Sequence, residues 1–494
     1  MENKELSKNI ANATKWSTVT EFVAKIFIPV TNMILARLLT PEAFGVIATV
    51  IIVISFADML TDSGFQKYLI QHEFETNREK IQSINVAFWT NLLISFFLWF
   101  VIIIFSERIA TLVGNQGLGA VISIAGISLP LTSFSSIQMA IYRRDLDYRT
   151  LFKVRIISVF IPFIVTIPLA ILGYSYWSLI AGTICGNLVN AVFLTINSKW
   201  KPTLFYSFSI LKKMLSFSLW SLVEAISIWS TSYIGTFIVA GALNNYYLGL
   251  YNTTMITVNG ILAIIVTATT SVLFSSLSRL QNNEDEFVKV FLKFIRLSAM
   301  IILPMGMGIF IYRELLTDIL LGKQWHEASF FVGLWGLMSS ITIVFGTYCS
   351  EVYRSKGRPK LSLLVQFLYL IGLVPTLMIS VKYGFDTLVY GHSMIKIYHI
   401  LVNWVVMYTV FKMSPLLMIK NVLPSIYCTL MMGGVALMLQ LVSDKYIWSF
   451  LSIGICIIFY FVILMRFPKS RKELVAIIAS FNIPHKEKIL KVRN

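Results

Sequence analysis

Long apolar stretches recur from one end of this chain to the other, and they restrict its fold more than any other feature. We mark 14 candidate membrane spans, near residues 15–38, 43–66, 82–106, 117–142, 151–172, 174–197, 213–241, 248–278, 288–312, 327–352, 361–381, 384–411, 417–441 and 445–466. Lipid offers backbone amides no hydrogen-bond partner, so spanning segments must be helices or closed barrels, and barrel-type alternation is absent. The sequence therefore predicts an all-α polytopic membrane protein with about 14 transmembrane helices.

Composition agrees with this prediction and explains the basic charge. Of the 494 residues, 57% are hydrophobic and only 13% are charged, whereas soluble proteins carry roughly a quarter charged residues. With the N-terminus in the cytoplasm, 33 of the 41 lysines and arginines fall in cytoplasmic segments and six in outer connections. This bias follows the positive-inside rule and places both termini in the cytoplasm. The net charge of +17 thus reports orientation, and we expect no nucleic-acid partner.

Several chemistries find no support in the sequence. The four cysteines lie in apolar runs without a CxxC pair, and we expect small core residues rather than disulfides or metal ligands. A GxxxxGK[ST] loop, an HxxxH pair and a GxSxG turn are all missing. The DxD within "RRDLDYR" (143–149) lies in a short basic connection, where a topogenic role is expected. We predict no enzyme activity, no metal and no cofactor.

The stretch "ILARLLTPEAFGV" (34–46) recurs 204 residues later as "IVAGALNNYYLGL" (238–250). Further matches pair "VGNQ" (113–116) with "LGKQ" (321–324), "IYRRDLDYRTLF" (141–152) with "VYRSKGRPKLSL" (352–363) and "GYSYWSL" (173–179) with "GFDTLVY" (384–390). We infer two parallel six-helix repeats around a central cavity, 1–204 and 205–412, then two extra transmembrane helices (413–466) and a basic cytoplasmic tail (467–494). The first stretch is then an outer hairpin, in which Pro41 opens a helix and Gly45 permits close packing.

Ionisable residues inside the first and seventh spans are candidates for the cavity wall, because charges within a membrane usually face a wet interior. Glu21 and Lys25 lie one helical turn apart, with Lys25 near mid-membrane, and Glu224 lies near the middle of span 7. The functional interpretation is an anion site in which Lys25 meets a phosphate. The structural alternative is that Glu21 and Lys25 neutralise each other.

The twelfth span carries a polar stripe of His392, Lys396, His399 and Asn403 at helical spacing. Lys396 lies deep in the span and is the second candidate for a phosphate contact. In the structural alternative, Lys396 pairs with Glu224 and locks the two halves together. The histidines serve equally well as cavity residues or as satisfied interior groups.

Ion coupling has three candidate residues, Asp58, Asp62 and Glu224. Asp58 and Asp62 lie one turn apart near the cytoplasmic end of span 2, where repelling carboxylates could share one proton. The alternative is that both are simply hydrated at the interface.

The segments Trp16-Ser17, "ILARLLTPEAFG" and "FADMLTDSGFQKYLIQ" (56–71) resemble those of polysaccharide flippases of the multidrug/oligosaccharidyl-lipid/polysaccharide exporter superfamily, in the exopolysaccharide and O-antigen branch. The resemblance covers the whole chain and implies a V-shaped, alternating-access transporter of the bacterial inner membrane. Such proteins move polyprenyl-diphosphate-linked oligosaccharide repeat units to the outer leaflet and are coupled to ion gradients. Membrane lipids and polysaccharide-assembly membrane proteins are the other partners that it implies. Arg37 matches the family signature, and its contact with ligand stays open.

A multidrug or small-molecule exporter of the same superfamily is the alternative function. An exporter of cationic drugs would favour acidic and aromatic cavity residues, whereas two mid-membrane lysines favour an anion. A glycan polymerase or ligase should show a sizeable outer loop with catalytic groups, and the longest outer connections, near 106–117 and 312–327, are too short.

Overall fold

The computed structural model describes residues 16–17, 19–20, 23–24, 27, 29–62, 64–198, 200–443 and 445–481, and residues 29–38 are helical. The first ten helices that follow are α1 Pro41–Asp62, α2 Phe65–Gln71, α3 Asn77–Ile104, α4 Ser106–Leu112, α5 Gly119–Ala125, α6 Ser128–Arg144, α7 Tyr148–Ile171, α8 Tyr176–Asn197, α9 Phe208–Ala242 and α10 Asn245–Arg279. The remaining helices are α11 Glu284–Ile311, α12 Arg313–Leu320, α13 Ser329–Thr342, α14 Tyr348–Ser355, α15 Lys360–Ser380, α16 Phe385–Phe411, α17 Pro415–Gln440, α18 Tyr446–Leu464 and α19 Pro468–Phe481. Short 3-10 turns cover Lys323–Ala328 and Val381–Tyr383, and a π-helical segment covers Ile343–Thr347.

The prediction of an all-α polytopic membrane protein is confirmed. In the described part of the chain, 13 helices are long and apolar enough to cross a membrane. The remaining predicted span, 15–38, is described only in part. The connections contain short helices, α2, α4 and α12, that hydropathy alone did not reveal.

The chain folds into two compact units. Unit 1 contains Met1–Gly260, Leu320–Ala328 and Leu373–Leu388, and unit 2 contains Ile261–Ile319, Ser329–Gly372 and Val389–Asn494. The units group residues by their proximity in space, which is a different criterion from sequence similarity. The boundaries of the two sequence repeats therefore stay a prediction.

The hairpin around Pro41 shows a reciprocal contact within unit 1. Pro41 begins α1, as predicted. A Cβ added to Gly45 would overlap the backbone carbonyl of Asn245, and one added to Gly249 would overlap the carbonyl of Pro41. Since Gly45 corresponds to Gly249 and Pro41 to Asn245 at the 204-residue offset, the two contacts are one contact made twice. This is the geometry of a local two-fold axis between the starts of α1 and α10.

A second pair of contacts in unit 1 follows the same rule. Gly114 packs on the end of α9, where an added Cβ would overlap the Ala240 carbonyl. Its counterpart, Gly322, faces the Arg37 side chain, and a Cβ there would lie 3.4 Å from Arg37 Cγ. The neighbouring Gln324 donates through Nε2 to the carbonyl oxygen of Ala36. Each loop therefore packs on the end of a helix that belongs to the other predicted repeat.

Backbone conformation repeats as well. Three pairs of equivalent loop positions take positive φ: Gly114 (77°) with Gly322 (107°), Leu146 (56°) with Gly357 (70°) and Gly173 (86°) with Gly384 (98°). Glycine adopts this region freely, whereas leucine adopts it at a cost of roughly 1–2 kcal/mol. The connections that matched in sequence therefore share a turn geometry.

The DxD motif has a structural role at the start of α7. Asp147 caps that helix by accepting a hydrogen bond from the backbone N–H of Thr150 at 3.1 Å. Asp145 forms an ion pair with Lys80 at 3.1 Å. Each carboxylate of the motif therefore has a structural partner.

Candidate functional site

Unit 1 contains a polar cavity of about 640 Å³. Its wall comes from the first helical segment and from α6, α7 and α8, and its polar lining residues are Ser17, Thr20, Arg143, Tyr148, Arg155, Ser158, Thr183, Asn187 and Asn190. The side-chain oxygen of Asn190 is buried and has no hydrogen-bond partner in the described part of the chain. The described residues of this wall supply two guanidinium groups, hydroxyls and amides, and none of them is a carboxylate, which suits an anion that also carries hydroxyl groups.

The two arginines of this cavity lie at different depths. Arg143 is in the last turn of α6 and donates to Gln66 Oε1 at 3.2 Å. Arg155 lies seven residues into α7, which begins at Tyr148, and therefore about 10 Å along that helix. Both side chains are exposed. The cavity thus extends from the predicted cytoplasmic end of unit 1 toward its middle.

A smaller cavity of about 210 Å³ adjoins the first, because Thr183 and Asn187 line both. Its wall includes Asp58, which accepts a hydrogen bond from the hydroxyl of Thr132 at 2.7 Å. One of the three predicted coupling residues therefore lies beside the polar cavity of unit 1.

The predicted stripe on α16 lies in unit 2, where it packs against α13, the π-helical segment and α14. The Lys396 amine donates to the hydroxyl of Ser339. It also lies 3.3 Å from the centroid of the Trp335 ring. The side chain is 8% exposed. A hydroxyl and an aromatic face, on one helical stripe of α13, therefore hold this amine.

The other stripe residues continue the same interface. His392 packs against the Trp335 ring, with 4.5 Å between ring centroids. Further along, Asn403 donates to His399 Nε2 at 3.3 Å and accepts from the Tyr353 hydroxyl at 3.0 Å. The four residues share one face of α16, as the spacing predicted, and this face packs against protein within unit 2.

The π-helical segment Ile343–Thr347 lies opposite this stripe. A Cβ added to Gly346 would lie 3.7 Å from both His399 and Asn403. The indole N–H of Trp404 donates to the Phe345 carbonyl at 3.1 Å. Such one-turn π segments are frequent at functional sites, and here the wider turn adjoins the polar residues.

The remaining predicted residues have less structural detail. Glu21 and Lys25 lie outside the described residues. Glu224 lies on α9 and Asp62 ends α1, but only their backbones are described. Arg37 is exposed and lies beside Gly322. It is near the end of the first helical segment, the end that is predicted to lie on the outer side of the membrane.

Sequence reasoning missed two residues of the candidate site, Arg155 and Trp335. Arg155 counted only as a cytoplasmic charge, although its position about one turn inside span 5 (151–172) was a usable signal. Trp335 had no signal, because one aromatic residue in an apolar run resembles any core residue.

The chain matches a family described as polysaccharide biosynthesis protein over residues 34–330. The chain belongs to this polysaccharide biosynthesis family. It is 23% identical over 342 residues to the succinoglycan biosynthesis transport protein ExoT of Rhizobium meliloti, covering 69% of this chain and 68% of that protein. It is 20% identical over 333 residues to the lipopolysaccharide biosynthesis protein WzxC of Escherichia coli, covering 65% of each. The resemblance to polysaccharide flippases is confirmed at the level of family.

The fold is that of a known transporter. The lipid II flippase MurJ in an inward closed conformation superposes with a TM-score of 0.76 and 14% identity, covering 93% of this chain and 99% of that one. At this identity the likeness establishes the fold alone.

Proposed function

We propose that this protein is an alternating-access flippase that moves polyprenyl-diphosphate-linked oligosaccharide repeat units from the cytoplasmic to the outer leaflet for surface polysaccharide biosynthesis. It acts in the bacterial inner membrane with both termini in the cytoplasm, and an ion gradient drives it. Family membership and the names of its relatives support the substrate class. The observation that carries the proposal is the arginine-lined polar cavity of unit 1.

The chemistry of that cavity matches the head of such a lipid. Guanidinium groups present paired N–H donors with the geometry of phosphate oxygens, so Arg143 and Arg155 are assigned to the diphosphate. The amides of Asn187 and Asn190 and the surrounding hydroxyls suit sugar hydroxyls. The volume of about 640 Å³ falls in the range of roughly 300–1,000 Å³ for small-molecule sites. The polyprenyl chain stays in the bilayer.

Lys25 and Lys396 are proposed as further cations on the route. In this conformation Lys396 is bonded to Ser339 and covered by Trp335. A desolvated cation–π contact is worth about 2 kcal/mol, and hydrogen bonds to charged groups contribute about 1.5–3 kcal/mol. These contacts are worth only a few kcal/mol, so a phosphate that bonds to the amine can replace them in another step of the cycle. The proposed accessory polar groups are Arg37, His392, His399 and Asn403.

The coupling ion is assigned to Asp58, with Asp62 and Glu224 as secondary candidates. The Asp58 carboxylate is close to the cavity and has a hydroxyl partner in Thr132. Binding a proton or cation there would change the charge of the wall that faces an anionic head. We expect Asp58→Asn to keep the fold, because an amide oxygen still accepts from Thr132, and to uncouple transport from the ion gradient.

The test uses cells that lack this protein but retain the glycan-assembly enzymes. A diphosphate-linked oligosaccharide should accumulate where a membrane-impermeant probe cannot reach it from outside. The wild-type gene should clear it and Arg155→Gln should not. Lys153→Gln is the matched control, since Lys153 is exposed on the same helix but does not line the cavity. Unchanged surface glycan without lipid accumulation would refute the flippase assignment and favour a small-molecule exporter.

A further inference from the structure

The C-terminal helix α19 turns its one acidic residue inward. Glu473 accepts from Arg296 of α11, with Arg296 Nε 2.8 Å from Oε2 and Nη2 bonded to Oε1. The same guanidinium donates through Nη1 to Asn421 of α17 at 2.5 Å. The two charged side chains are only 15% and 13% exposed. A two-pronged, largely buried ion pair therefore holds α19 to α11, and the same guanidinium links α11 to α17.

The position of this ion pair sets the level of α19 relative to the bilayer. Arg296 is the last charged residue of α11, and the 15 residues that follow, "LSAMIILPMGMGIFI", carry none. Asn421 follows Lys420, after which α17 continues uncharged to its end. Both helices thus pass from charged to apolar sequence at the level of Arg296, which binds Glu473 and donates to Asn421. This change of sequence predicts that helix α19 lies at the level where hydrocarbon gives way to headgroups, on the predicted cytoplasmic side.

The exposed surface of the same segment is strongly basic. Its exposed residues include Arg466, Lys469, Arg471 and Lys472, while Ser470 is buried. Glu473 is the one acidic residue of α19, and Arg296 already neutralises it. No acid of the helix therefore offsets its three cations or Arg466, which lies just before it. Topology alone requires basic residues after a span, but it does not require a helix with its acid buried against the protein.

We infer that α19 is a built-in binding surface for anionic phospholipid headgroups of the cytoplasmic leaflet. Clusters of four to eight basic residues directly after a transmembrane helix attract such lipids. Charge complementarity and the interfacial level of the helix support this occupant. The inference stands independently of the transported substrate.

The test measures thermal unfolding of the full-length purified protein in neutral detergent while phosphatidylglycerol or phosphatidylcholine is added. We expect phosphatidylglycerol alone to raise the unfolding midpoint. The variant Lys469→Gln/Arg471→Gln/Lys472→Gln should weaken the apparent affinity by up to about 100-fold, since each cation near an anionic surface contributes about fivefold.

The matched control removes three exposed cations from unit 1, as Arg78→Gln/Lys212→Gln/Lys213→Gln, and should respond like the wild type. If both triple variants lost the same apparent affinity for phosphatidylglycerol, the effect would depend only on total charge, and the assignment would be overturned. A wild-type response of the α19 variant would also overturn it. Stabilisation by inorganic phosphate alone, at the same concentration, would point to a free anion instead of a lipid.

Glu473→Gln separates geometry from charge. This variant makes α19 more basic but removes the ion pair that positions the helix. If the positioned helix forms the binding surface, phosphatidylglycerol should raise the unfolding midpoint of this variant less than that of the wild type. Diffuse electrostatic attraction predicts a stronger response. A response equal to or stronger than wild type would contradict the inference.

Discussion

Replacing Gly45 by Ala should weaken the contact between the starts of α1 and α10. The added Cβ would overlap the backbone carbonyl of Asn245, and a carbonyl in the first turn of a helix cannot rotate aside as a side chain can. Overpacking of this kind costs about 1–3 kcal/mol, while a helical Gly→Ala change returns about 0.5–1 kcal/mol. We expect a net loss for the closed contact of up to about 2.5 kcal/mol. Gly249→Ala should behave alike, because it meets the Pro41 carbonyl in the equivalent place.

The consequence is measurable as exposure of a buried neighbour. Ala36 is fully buried. Its carbonyl oxygen accepts hydrogen bonds from the side chains of Gln324 and Trp325, which belong to the other predicted repeat. With Cys185, the only partly exposed native cysteine, changed to Ser, an Ala36→Cys reporter should react slowly with a membrane-impermeant maleimide. A contact weakened by up to about 2.5 kcal/mol opens up to about 60-fold more often, since about 1.4 kcal/mol is a factor of ten, and labelling should accelerate by up to that factor.

Gly434→Ala is the matched control, since Gly434 lies in α17 and an added Cβ there meets nothing within 4 Å. Its labelling rate should equal that of the parent. The double change at Gly45 and Gly249 should cost less than the sum of the single changes, because both separate the same two helices. Unchanged labelling in both single variants, or strictly additive effects, would refute the close reciprocal packing.

Lys396→Met should leave the amount of protein in the membrane unchanged but reduce export, because the long side chain is kept while the amine bonded to Ser339 is lost; normal export measured by surface glycan would deny that amine a role. Gly114→Ala should lower the thermal midpoint more than Gly117→Ala. Both positions have positive φ, but only the first would place its Cβ on backbone atoms, so equal midpoints would show that strain alone matters. Leu146→Gly should raise the midpoint slightly, since a left-handed non-glycine residue costs about 1–2 kcal/mol; a lower midpoint would show that the Leu146 side chain contributes more than its backbone loses.

The architecture was largely predictable because lipid leaves a chain few options. Apolar length located the spans, and Pro41 and Gly45 located the first hairpin, since each residue acts through its own backbone. The short helices α2, α4 and α12 escaped because they lie in connections, where hydropathy carries no signal. Helix α19 escaped for a related reason, since its sequence reads as a basic tail until Arg296 is seen to bind Glu473.

The candidate site was only partly predictable. The stripe on α16 followed from helical spacing, which correctly put Lys396 and Asn403 on one face. Spacing cannot say what that face meets, and the partners of Lys396 came from α13, as Trp335 and Ser339. Arg155 was missed because the positive-inside rule already explained a cation near the cytoplasmic end of a span. The same cation can also line a cavity.

The reciprocal contact at Gly45 and Gly249 has an evolutionary consequence. A six-helix ancestor that paired with a second copy of itself would have needed one glycine, which the two-fold axis would have used twice. If two such genes fused, each half would be free to diverge. This would explain why equivalent positions on the two sides of the contact now carry different residues, Pro41 and Asn245. On the same hypothesis, Leu146 and Gly357 would be a diverged pair in a loop, because both positions have a positive φ and only one of them holds glycine.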